Sequence, residues 1–293
     1  MIAVDWGTSS LRVYRLDVAG NIIDMRRSAQ GVLTAAGRFG TVLAQAIEGW
    51  DDHDIVMAGM IGSRQGWQEV PYLDCPAGLP EIAARMVRLE QDVFAGRDIW
   101  IAPGLHVHVD GVHDVMRGEE TQLCGLLDDM MVGTHHVCLA GTHSKFALVE
   151  NGAIGGFATA MTGEVFALLC EYGILGRLMQ GREFHRDAFV RGVDDAQRSG
   201  GLLRHLFVVR TLGLFDEVAP QALHSYLSGL LVGHELNALP PVGNAIHLVA
   251  SQALVEPYET GFARRGYTVR VVPDDITAKG LFALARTRGL AGH

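Results

Sequence analysis

No Lys/Arg-rich run occurs in the chain, where 24 Lys and Arg stand against 33 Asp and Glu for a net charge of −9. A nucleic-acid binder needs such a run as its electrostatic footprint, so DNA and RNA are not expected partners. Paired cysteines are missing too: Cys75, Cys124, Cys138 and Cys170 are scattered, without disulfide-like or metal-type spacing. A chain of 293 residues needs no disulfide staples, and these thiols are expected to be reduced and mostly buried. The N-terminus lacks a basic segment leading into a long apolar one, and no apolar run matches a bilayer span, so the expected compartment is the cytoplasm. Low-complexity segments and long linkers are absent as well.

Apolar material is plentiful: 48% of residues are hydrophobic and 19% charged, which supports packed cores and argues against disorder. The length suggests two domains with a cleft between them, divided here as 1–107 and 108–293. Ile2 to Trp6 reads as a short apolar strand, Leu11 to Asp17 as an alternating one and Ile22 to Arg27 as a third, joined by turns at Gly7-Thr8-Ser9-Ser10 and Gly20-Asn21. Helical and strand patterns then alternate. Phe39 to Trp50 and Leu79 to Glu90 read as helices, and Asp54 to Met57 and Asp98 to Ala102 as strands, which defines an α/β architecture. Further on, Gly163 to Met179, Gln221 to Leu239 and Ile276 to Arg288 read as helices, with strands at Ala245 to Ser251 and Tyr267 to Val272.

Comparison of the chain with itself adds a second layer. Gly7-Thr8-Ser9-Ser10 recurs as Gly141-Thr142-His143-Ser144, each after an apolar strand and before a second strand, an Asn/Gly turn and a third strand. Gly-Thr-x-Ser is also an ordinary turn composition, but the shared strand context favours a duplicated domain. Asp5 at the end of a buried strand, next to Gly7 and Thr8, places a carboxylate beside open backbone N–H groups, a pairing suited to hydrated Mg²⁺ and a phosphate. Two such hairpins would grip one triphosphate.

Arg117-Gly118-Glu119-Glu120 precedes the second hairpin and opens a helical stretch, Thr121 to Leu127. One of its carboxylates could take a proton from an acceptor hydroxyl; equally, acidic residues there could only complement a helix N-terminus. His106 and His108, with His113 and Asp114 nearby, could form a metal cluster on a strand, though no further ligand set stands out.

These residues resemble the 2-keto-3-deoxygalactonate kinases of the sugar kinase, heat-shock protein 70 and actin superfamily. The likeness runs nearly the whole chain, through Ile2 to Arg12, Val56 to Ser63 with Gly66-Trp67, Pro71 to Leu73, Ile99 to Leu105, Val115 to Gln122, Gly141 to Lys145, Met161 to Glu164 and Ser228 to Gly233. It implies a duplicated actin-like (ribonuclease H-like) two-domain fold with ATP in the interdomain cleft. Asp5, Gly7, Thr8, Ser9 and Arg12 would form the first phosphate site, with Asp5 organising Mg²⁺. Gly141, Thr142, His143, Ser144 and Lys145 would form the second, and Gly229 and Gly233 a nucleotide wall. Glu119 takes the place of the usual Asp base, with Glu120 as the second choice. Gly62, Ser63, Arg64, Trp67 and Arg117 would receive the sugar acid, its carboxylate meeting Arg117 or Arg64. The glycine-bearing adenosine turn of the family is here Ser251-Gln252-Ala253. The implied reaction is phosphorylation of 2-dehydro-3-deoxy-D-galactonate at its 6-hydroxyl by ATP, within D-galactonate breakdown; a homodimer is compatible with the sequence, which does not itself set the oligomeric state. A nucleotide-driven regulatory module of the same fold is the alternative, because fold does not fix function.

Overall fold

The computed structural model describes residues 1–90, 94, 96–239, 243, 245–273 and 275–290. The chain opens with an antiparallel meander, β1 (Ile2–Trp6), β2 (Leu11–Leu16) and β3 (Ile22–Ser28), followed by the helix Phe39–Ala46 and by β4 (Asp54–Gly59), parallel to β1. Short strands β5 (Leu73–Asp74), β6 (Ala77–Gly78) and β7 (Val87–Arg88) lead to β8 (Asp98–Ile101), and β9 (Leu105–Val109) pairs with β10 (Val112–Met116) as a hairpin. After the helix Glu119–Cys124 a second meander follows: β11 (Thr134–Ala140), β12 (Ser144–Glu150) and β13 (Ala153–Ala160). Five helices and β14 (Ile246–Ala250) come next, then β15 (Val269–Val271) and the closing helix Ile276–Arg288.

The duplication expected from the repeated turn is visible in the sheets. The order β3-β2-β1-β4-β8 in one is matched by β13-β12-β11-β14-β15 in another. In each, the first strand of the meander is flanked by a parallel strand that continues in parallel to the next. β1 is covered on both faces, with Ile2, Ala3, Val4 and Trp6 fully buried, which is why its sequence runs apolar without alternation.

The residues gather into two compact units, 1–134 with 147–157 and 273–293, and 135–146 with 158–272. The first unit is built from three stretches of chain. Its core runs through Ile2, Val4, Trp6, Leu43, Ile55, Met57, Ile61 and Ile101. The second unit has two apolar clusters, one around Phe189, Leu248 and Phe262 and one around Leu212, Tyr226 and Leu230.

Local departures have identifiable causes. The helix expected to reach Glu90 covers only Leu79–Ala84, because Val87 and Arg88 pair as a strand with Ile101 and Trp100. Its start is fixed by Glu81, whose carboxylate accepts the Gly78 N–H at 3.0 Å. The helix expected over Gly163 to Met179 ends at Glu171, where Gly173 packs its Cα against Leu169, and a short 3₁₀ turn occupies Leu175–Leu178. Two helices, Arg186–Asp195 and Gly201–Leu214, fill a stretch left unassigned by periodicity.

Candidate active site

In the first unit the turn after β1 closes through the Gly7 N–H, which donates to the Ser10 carbonyl at 2.9 Å, and leaves Thr8 and Ser9 exposed. Asp5 stands one residue before the strand end, opposite Arg12 of β2, with 3.7 Å between carboxylate and guanidinium. Burial pushes the Asp5 pKa up, the Arg12 charge pulls it down, and the nearby Glu119 charge pushes it up again. The Glu119 carboxylate thus stands close enough to Asp5 for its charge to act there, with the Arg12 guanidinium beside Asp5, and a bound cation would ease the repulsion between the two acids.

Gly31 fixes the turn from outside. A Cβ there would lie 2.3 Å from the Thr8 carbonyl and 2.4 Å from Ser9, and the following Val32 N–H donates to the Gly7 carbonyl at 3.0 Å. Sequence reasoning missed this glycine, which answers to a turn more than twenty residues earlier.

Glu119 and Glu120 begin a helix whose preceding Gly118 has φ +110°, a conformation that favours glycine. The Gly118 position approaches the Gly59 Cα, and Gly59, at φ +93°, leaves room for the Trp6 carbonyl. These close approaches bring the end of β1, the Met60–Gly62 turn and the start of the Glu119 helix together. Glu119 is half-buried and accepts the Arg117 backbone N–H at 3.2 Å. Glu120 is fully buried: one oxygen accepts the Gly118 N–H at 2.6 Å and the other has no partner. Burial first, and the Glu119 charge second, push its pKa up to about 8. A base needs an ionised, reachable oxygen, and of the two adjacent carboxylates Glu119 is the less buried.

The expected sugar-acid residues lie in different settings. The Arg117 guanidinium stacks over Tyr72 at 4.3 Å and donates to the Val70 carbonyl at 2.7 Å, while its Nε and Nη1 are enclosed without a partner. Gly62 makes room for it, since a Cβ there would sit 2.9 Å from Nη1. Ser63 donates its hydroxyl to the Met60 carbonyl at 2.7 Å. Arg64 is 89% exposed and paired with Glu69 at 3.0 Å. Trp67 stacks on Phe39, which meets Trp6 edge-on, so its ring extends the core wall.

The second unit repeats the first turn's construction. Gly163 packs against the Gly141–Ser144 turn as Gly31 does against the first: a Cβ there would lie 2.5 Å from the Gly141 carbonyl and 2.8 Å from the Thr142 Cα. The Glu164 N–H donates to the Thr142 carbonyl at 3.0 Å, and the Glu164 carboxylate pairs with the His143 ring. Lys145 is buried, its ammonium donating to the His143 carbonyl at 3.2 Å. Ser144 meets the Tyr258 hydroxyl at 2.7 Å, and that hydroxyl donates to Glu235 at 2.9 Å.

Gly229 and Gly233 are accounted for by helix packing. A Cβ at Gly229 would lie 2.0 Å from the Phe189 carbonyl, and one at Gly233 would lie 2.7 Å from the Ala196 Cβ, so both glycines let the helix Leu223–Asn237 approach the helix Arg186–Asp195. Ser251, Gln252 and Ala253 are exposed after β14 and open the helix Gln252–Arg264, which presents its first N–H groups there.

The histidines of the β9-β10 hairpin form a chain in place of a cage: Asp74 meets His106 at 2.5 Å, His106 meets His113 at 2.8 Å, and His108 stacks on His113. Among the described residues, the three potential ligands that do converge are His53, Asp54 and Asp98.

Twin meanders, each with a Gly-Thr-x-Ser turn between its first two strands, define the actin-like fold, a class that includes carbohydrate kinases. The sequence profile of the 2-keto-3-deoxy-galactonokinase family matches residues 5–284, and the chain belongs to that family. A 2-dehydro-3-deoxygalactonokinase of Escherichia coli (strain K12) is 35% identical over 280 residues, which span 94% of this chain and 93% of the relative. A Rhizobium meliloti (strain 1021) protein assigned as a 2-dehydro-3-deoxygalactonokinase is 38% identical over 296 residues, 97% of this chain and 96% of its own. A Sinorhizobium meliloti crystal structure with the same assignment matches at TM-score 0.90 and 37% identity, covering 97% of this chain and 98% of its own. Family membership decides for the enzyme over the regulatory module.

Proposed function

We propose that this chain transfers the γ-phosphate of ATP to the 6-hydroxyl of 2-dehydro-3-deoxy-D-galactonate. The observation that carries the reading is the family match over residues 5–284, to which the structure adds a Glu119 close enough to Asp5 for its charge to act there. The exposed Thr8 and Ser9 hydroxyls and the N–H groups of their turn donate to phosphate oxygens, and Arg12 adds positive charge beside them. Gly141 to Lys145 supply the second set of donors. Asp5 would hold Mg²⁺, which when bound neutralises charge on the phosphates. Glu119 accepts the proton of the acceptor hydroxyl, with its carboxylate oriented by the Arg117 backbone N–H.

Arg64 is the better candidate for the substrate carboxylate. Its exposed pair with Glu69 is worth at most about 1 kcal/mol, so exchanging Glu69 for the substrate costs little. Arg117, packed on Tyr72, instead shapes the wall next to Gly62.

The net charge of −9 supports a protein that works without nucleic acid, and the reduced thiols suit the cytoplasm. Among the described residues no helix is long and apolar enough to cross a membrane. A homodimer is favoured by the helix Gly201–Leu214, where Leu203 and Phe207 stand 84% and 61% exposed, one turn apart. Light scattering should give twice the 31.7 kDa chain mass, and Phe207→Glu should halve it.

The deciding assay couples ADP release to Mg²⁺-ATP and 2-dehydro-3-deoxy-D-galactonate, with the gluconate epimer and a sugar-free blank in parallel. Release specific to the galactonate acid supports the reading. Equal rates for both epimers widen the substrate class, and release independent of sugar overturns it.

A further inference from the structure

We propose that Glu235 is a positioning residue that sets the shape of the second glycine turn, and through it the affinity of the site for nucleotide. The proposal rests on the reading of Gly141 to Lys145 as a phosphate-binding turn.

Glu235 is in the last turn of the helix Leu223–Asn237, an apolar element whose Leu227, Leu230 and Leu231 are buried. A carboxylate at that end faces the negative pole of the helix dipole and is disfavoured there. Burial disfavours its charge further and pushes its pKa up. Nothing in the helix itself accounts for an acid at this position.

Two hydroxyls do, with a third behind them. Thr162 and Tyr258 donate to the same carboxylate oxygen, and Ser144 reaches it through the Tyr258 hydroxyl. They come from separate elements: Ser144 opens β12, Thr162 starts the helix Thr162–Glu171, and Tyr258 belongs to the helix Gln252–Arg264. Ser144 closes the glycine turn at one end. Thr162 precedes Gly163, whose backbone packs on the Gly141 carbonyl and the Thr142 Cα. One carboxylate thus ties together the closing residue of the turn and the segment packed against it.

Hydrogen-bond direction follows from the carboxylate. Tyr258 donates to Glu235, so its oxygen accepts from Ser144 at 2.7 Å, and the Ser144 oxygen is left to accept the Gly141 N–H at 3.5 Å. Replacement by alanine removes the acceptor to which Thr162 and Tyr258 donate, whereas glutamine keeps a carbonyl oxygen in its place.

The test titrates a fluorescent ADP analogue, without sugar, into the full-length protein and into Glu235→Ala, Glu235→Gln and Tyr258→Phe, and separately measures KM for ATP and for the sugar acid. We expect Glu235→Ala to weaken ADP binding by at least about tenfold, Tyr258→Phe by about threefold or more, and Glu235→Gln by less than threefold. The KM for the sugar acid should stay within about twofold throughout, which a general loss of structure would not allow. Should Glu235→Ala fail to fold, Tyr258→Phe, which keeps the ring, decides. Unchanged ADP affinity in folded Tyr258→Phe would overturn the proposal, as would Glu235→Gln losing as much affinity as Glu235→Ala. ADP binding without sugar-acid turnover in the unmodified protein would sink the proposed activity alone, leaving this inference to the binding series.

Discussion

Glu120 accepts the Gly118 N–H at 2.6 Å through one carboxylate oxygen while its other oxygen is sealed in protein without a partner. Burial holds its pKa at about 8 against an ordinary value of 4.5. Below the ordinary value, folded and unfolded chains both carry the proton and the stabilising contribution is complete. As pH rises towards about 8, only the folded chain retains it, so stability falls across that window and levels off above it. Melting temperature measured from pH 5 to 9 should decline more steeply for the unmodified protein than for Glu120→Gln. Parallel curves would mean that Glu120 is already ionised.

Glu119→Gln should lower kcat by about a hundredfold to ten-thousandfold, the usual contribution of a proton-accepting group, with nucleotide affinity largely kept. Rapid-quench single-turnover kinetics would separate this loss from slow product release. Near-normal turnover would remove Glu119 from the reaction.

The two turns share a device that can be tested in both places. Gly31→Ala drives a methyl to within 2.3 Å of the Thr8 carbonyl, and Gly163→Ala to within 2.5 Å of the Gly141 carbonyl. Each should cost about 1–3 kcal/mol of stability through overpacking and also weaken nucleotide binding, as read by thermal unfolding with and without ADP. A stability loss with no change in the ADP-induced shift would make these glycines structural only.

Gly229→Ala should behave differently. Its methyl would collide with the Phe189 carbonyl, 2.0 Å away, and force two packed helices apart. The expected result is a lower melting temperature with the KM for ATP unchanged in the protein that remains folded. A selective rise in that KM would restore the nucleotide-wall role that the sequence suggested.

Much of the frame was legible because it is written in local patterns. β1 and the closing helix Ile276–Arg288 begin and end where their apolar periodicities do. The repeated Gly-Thr-x-Ser turn pointed correctly to twin meanders, since a turn and its flanking strands occupy consecutive residues. What escaped depends on contacts distant in sequence. Gly31 and Gly163 are constrained by turns about twenty residues earlier, and Glu235 by hydroxyls at 162 and 258. The difference between Glu119 and Glu120 was equally hidden, because adjacent identical residues are told apart only by which of them the helix turns inward. For Glu235 a signal existed: it is the sole carboxylate between Leu223 and Asn237, in a helix otherwise apolar enough to be core.

Gly280 lets the closing helix press against the helix that begins at Glu119; a methyl there would stand 1.7 Å from the Thr121 carbonyl. Translation reaches Glu119 long before it reaches Ile276. Through more than 150 residues of synthesis the candidate base is present in a segment that has nothing to rest on along this side. The first unit is thus begun first and finished last, and a ribosome stalled anywhere before the closing helix would leave the Glu119 helix without that support.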